Sequence, residues 1–205
     1  MGLAIGVGVL ADLIVHDEEG AQWMRSNIDR LNKVLKKQGL AEHNEPEKLP
    51  RLSRQSVSSY PYSFLHYLRR AYACVVEGKP LRTGEMSQRD MDFVSDVAID
   101  LMDSHLLSHS DAEGYYVPQD FADPLCDDSL PGSFAGSLPR LLKELERVAP
   151  ALDIGLKNGE LVAGEADKLA RVEDADPMFR EKIVWFSLYE AAKLCLEHGT
   201  LLVFH

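Results

Sequence analysis

Residues 105–120 gather the side chains best suited to chemistry: His105, His109, Asp111, Glu113, Tyr115, Tyr116 and Asp120, seven polar or titratable groups in sixteen positions. If residues 106–111 form a strand, its period of two sets His105, His109 and Asp111 on one face. Two imidazoles and a carboxylate are the donor types that zinc or another divalent ion takes. On that reading Glu113 or Asp120 would be the base of a metal-dependent hydrolase, or His109 would serve as a base near neutral pH, oriented by Asp111 or Asp120. The spacing matches no established metal motif. A plainer reading of the same residues has Asp111 capping a turn, the tyrosines packing their rings and the histidines filling space as half-buried spacers. Under it the protein needs no cofactor.

Other chemistries find less support. Residues 132–136, GSFAG, set the serine one place too early for a nucleophile elbow, and no strand is expected before them. Gly6, Gly8 and Ala11 satisfy the G-x-G-x-x-A form of a dinucleotide fingerprint, but residues 17–38 read as a helix where the second strand and its ribose-binding acid should lie. Cys195 and His198 form one metal-type pair with no second pair at zinc-finger spacing. In the helix expected from Tyr60, Tyr62, His66 and Tyr67 accompany Arg69 and Arg70, a mixture that serves as core with polar tips or as an interface.

The elements that must hold these residues follow from periodicity. Residues 3–10 are apolar without interruption, a strand covered on both faces. Helices are expected from Asp17 to the stop at Gly39, from 60 to 77, from 89 to 104, from the Ser137 cap to 149, and from 177 to the stop at Gly199. The tetrapeptide 111–114 reads as a hairpin turn between two short strands, Asn158-Gly159 as the tip of a second small hairpin, and residues 201–205 as a closing strand. Residues 40–58 and 122–136 read as long loops. Strands near the N-terminus, in the middle and near the C-terminus, with about five helices between them, make an α+β fold: a small mixed sheet flanked by helices, in a single domain over residues 1–205.

Charge and cysteine usage bound the partners. The 205 residues carry 33 acids against 22 Lys and Arg, a formal charge of −11. Such a surface repels nucleic-acid phosphates and anionic membranes. Neither is expected as a partner. The N-terminal apolar run has no basic region before it and is too short for a span or a signal peptide. Three cysteines cannot all pair within the chain, and Cys74 and Cys195 sit in apolar helical patterns, which suits a reducing, cytoplasmic setting. The chain is expected to be a bacterial, non-catalytic interaction protein that binds or regulates a basic protein partner, as a small acidic immunity protein does for a toxin. The metal-dependent hydrolase is the alternative.

Overall fold

The computed structural model describes residues 2–205. β1 (Gly2–Val7) ends at Gly8, whose left-handed backbone (φ 67°) turns the chain directly into α1 (Val9–His16). That short helix is not foreshadowed by the uninterrupted apolar run of residues 3–10. Asp17 then caps α2 (Glu18–Lys37) by accepting a hydrogen bond from the Gly20 amide, with Glu18 and Glu19 in the first turn and Lys36 and Lys37 in the last.

After the long connection come β2 (Ser59–Pro61), α3 (Tyr62–Val76) and α4 (Gln88–Asp100), the last opened by a reciprocal Ser87–Asp90 capping box. A single helical turn, α5 (His105–Ser108), precedes β3 (Gly114–Val117) and the two-residue β4 (Leu125–Cys126). β5 (Phe134–Ser137) leads into α6 (Leu138–Val148). The small hairpin of β6 (Leu156–Lys157) and β7 (Glu160–Leu161) turns at Asn158-Gly159 as its sequence implies. α7 (Glu165–Ala170), α8 (Phe179–His198) and β8 (Leu202–Phe204) complete the chain.

The main sheet has the order β2-β1-β8-β3-β5-β4, with β8 near its centre. All its pairings are antiparallel except β3 with β5. It is a mixed sheet built from strands near the start, middle and end of the chain and flanked by helices, an α+β fold. Among the described residues five of the eight α-helices have eleven or more residues, and these are the five legible in the sequence.

Strand alternation feeds two cores. Leu202, Phe204, Tyr116, Leu3 and Ile5 face α3, α6 and α8, where Trp185 is fully buried. Leu201, Val203, Tyr115 and Val117 face the other way, onto Met24, Ile28, Leu31 and Leu35 of α2. No helix among the described residues is long and apolar enough to cross a membrane.

Candidate functional site

The expected hairpin over residues 105–120 does not form. Its first half is the α5 turn, because the Ser104 hydroxyl accepts from the Leu107 amide (3.1 Å) and the buried Glu144 carboxylate accepts from the amides of His105 (3.0 Å) and Leu106 (2.6 Å). Those amides are the orphan donors of a helix start. A strand at 106–111 would leave Glu144 buried without acceptable partners, so the tertiary contact overrides the local apolar pattern.

Each imidazole is committed at both nitrogens. His105 Nδ1 accepts from the Ser137 amide (3.0 Å), so Nε2 carries the proton toward the Ala122 carbonyl (3.1 Å). The His109 nitrogens face the carbonyls of Ser110 (3.0 Å) and Tyr115 (3.2 Å), and the ring stacks on Tyr116. Burial lowers both histidines, His109 to about 4. Asp111 is held by Arg69 and lies 3.4 Å from His66 Nε2.

The remaining candidates scatter. Glu113 stands exposed in the turn, Tyr115 and Tyr116 belong to opposite cores, and Asp120 binds Arg140 (2.5 Å) and Lys143 (3.8 Å) at the surface. His105, His109 and Asp111 therefore do not share one strand face. Among the described residues no group of three or more His, Cys, Asp or Glu is placed to hold a metal ion. Sequence reasoning missed Glu144, and it named Arg69 without its role in holding residues 106–111; both organise this region. Glu144 had a readable signal, a carboxylate among Leu141, Leu142, Leu145 and Val148 on one apolar helix face.

α4 presents a row of carboxylates to solvent. Val97 is buried while Asp92, Asp96 and Asp100 recur every four residues on the outer face, followed by Asp103. Asp92 accepts from Gln88 Nε2 (2.8 Å), and among the described residues none of the four has a Lys or Arg within ion-pair reach. Asp90, on the inner side, contrasts with them: it is buried against Arg70 and Arg82, and hydrogen bonds from Ser87 and Arg82 overcome its desolvation to hold its carboxyl far below the usual range. Four residues of helix rise place one charge per about 6 Å. One DNA strand carries one per about 3.4 Å of axis, so the stripe has roughly half that linear density. Ile99 (69 % exposed) and Met102 (76 %) stand among the carboxylates.

A family model described as "Putative DNA-mimic protein" matches residues 1–204. The chain belongs to that family. No curated protein and no solved structure matches it. Membership overturns two expectations. An immunity-type binder of an unspecified basic protein, and the metal-dependent hydrolase beside it, give way to a family whose description points to DNA-binding proteins. The partner expectation, a basic protein with nucleic acid set aside on charge, is corrected as well: the family description points to DNA-binding proteins, because an acidic surface that repels nucleic acid also suits a protein that imitates it. Carboxylate and phosphate oxygens accept the same charge-assisted, often bidentate, hydrogen bonds from Arg.

Proposed function

We propose that this protein binds a DNA-binding protein on the surface that the partner uses for DNA, with the α4 stripe standing in for part of one phosphate strand. The observation that carries the reading is the row Asp92, Asp96, Asp100 and Asp103, all exposed and, among the described residues, without cationic partners: the first three are borne on α4 and Asp103 on the turn that follows it, in a member of a DNA-mimic family. Preorganised charges recruit a basic groove quickly and without ordering cost. Ile99 and Met102 add apolar contacts that a sugar-phosphate backbone lacks, which selects one partner among many basic proteins. The three free cysteines suit a reducing cytoplasm, where such a partner works.

The test begins with lysate proteins bound to DNA-cellulose and eluted with the purified protein. A mimic releases one or a few DNA-binding proteins at a salt concentration that does not itself elute them, and Asp92→Asn/Asp96→Asn/Asp100→Asn/Asp103→Asn releases markedly less. Release of nothing, or equal release by the amide variant, would overturn the assignment of the face.

A further inference from the structure

Away from α4, the outer side of α2 carries a pattern of its own. Glu19, Trp23, Ser26, Arg30, Lys33 and Lys37 are all exposed and follow one another at intervals of four, three, four, three and four residues, which sets them in one line along the helix, with Trp23 the large apolar side chain among charged and polar ones. The opposite side, with Met24, Ile28, Leu31 and Leu35, is buried on the sheet. Trp23 is 58 % exposed, left uncovered at one end of that line.

We propose that α2 pairs antiparallel with α2 of a second copy of this chain. A two-fold axis level with Ile28 sets Glu19 opposite Lys37, Trp23 opposite Lys33 and Ser26 opposite Arg30, because each pair is equidistant from that position. The arrangement is isologous, so every contact is made twice. It joins acid to base at both ends of a seam about 27 Å long, lays an ammonium on each indole face and opposes the two helix dipoles favourably. A parallel pairing would set Glu19 on Glu19 and Lys33 on Lys33. The mixed signs also select the occupant: a DNA-binding groove would meet Arg30, Lys33 and Lys37, and a phosphate backbone would meet Glu19 and Asp29, whereas the reversed helix meets neither conflict. Lys37 already reaches Asp127 of its own chain (3.1 Å), which holds its ammonium at the surface.

Sedimentation velocity over a range of concentrations, at low and high salt, tests the pairing. The expected result is a reversible dimer that salt weakens, with Trp23→Ala leaving only monomer and Glu19→Lys raising the dissociation constant at least tenfold. Both positions are exposed, and circular dichroism checks that each variant remains folded. In a Cys126→Ser background, oxidation of mixed Ser26→Cys and Arg30→Cys proteins should cross-link faster than either alone. A chain monomeric throughout, or a dimer indifferent to Trp23→Ala, would refute the surface, and faster self-linking of Ser26→Cys would refute the antiparallel register. None of these outcomes depends on whether the α4 stripe recognises a DNA-binding protein.

Discussion

The His109 imidazole lies flat on the Tyr116 ring, centroids 4.2 Å apart and planes within 10°, with the edge of Phe204 closing the stack at 4.7 Å. Both of its nitrogens face carbonyls, yet the enclosure and the neighbouring Arg69 guanidinium oppose the charge that would let both donate. Burial wins, and the group titrates at about 4. The unfolded chain takes up the proton from about 6.5 downward. Stability present above that pH is therefore lost between about 6.5 and 4, by about 3 kcal/mol in all. Urea unfolding at neutral and acid pH should show His109→Gln losing distinctly less stability over this window than the native chain; parallel losses would place the acid sensitivity elsewhere.

Glu144 works in the opposite direction. Burial raises its carboxyl to about 7 despite the amides of Leu106 and His105 and the Ser104 hydroxyl. The folded state thus holds a proton that the unfolded chain releases near the ordinary carboxylate range, so this contribution is complete at low pH and disappears as pH rises toward 7. The cost of Glu144→Gln should shrink between pH 5 and pH 8 in denaturant titrations. Glu144→Ala, which strands two buried amides, should cost about 2–5 kcal/mol more than Glu144→Gln at both pH values.

Arg69 ties three points of the 105–111 segment to α3: its guanidinium donates to the Leu106 carbonyl (2.8 Å), the His109 carbonyl and Asp111. A lysine has the charge but not the planar fork. Arg69→Lys should therefore recover little of the roughly 3 kcal/mol or more lost in Arg69→Ala. Equal urea midpoints for Lys and Arg would show that charge alone suffices.

The α4 stripe predicts a contrast in salt dependence. DNA releases condensed counterions when a protein binds it, giving steep slopes of log affinity against log salt. Carboxylates spaced at about half the density of one strand condense fewer. Isothermal titration of the released partner should give a shallower slope with this protein than with DNA. Each surface carboxylate contributes about 0.2–1 kcal/mol, so the fourfold amide variant should weaken binding about fourfold to nearly a thousandfold at low salt. Its unfolding midpoint should stay level or rise, since like charges four residues apart repel.

Sequence alone determined what depends on local order. Apolar periodicity with Asp17, Ser137 and the terminal glycines marked the five long helices, and the uninterrupted apolar strands at both ends could only lie inside a sheet with helices beside it. The total of acids was legible too, but not which of them act outward. Tertiary structure alone decided that Asp90 turns in to Arg70 and Arg82 while Asp92, Asp96 and Asp100 remain unpaired, since partners come from other elements. It also decided that residues 105–108 coil rather than extend, because the acceptor for their amides, Glu144, arrives from a helix thirty-eight residues onward. The strand Phe134–Ser137 was hidden in a glycine-rich loop pattern for a related reason: Gly136 leaves room for the Tyr116 ring, and a Cβ there would stand 2.4 Å from it. A glycine that reads as a turn in isolation is a packing site once a neighbouring strand presses a tyrosine against it.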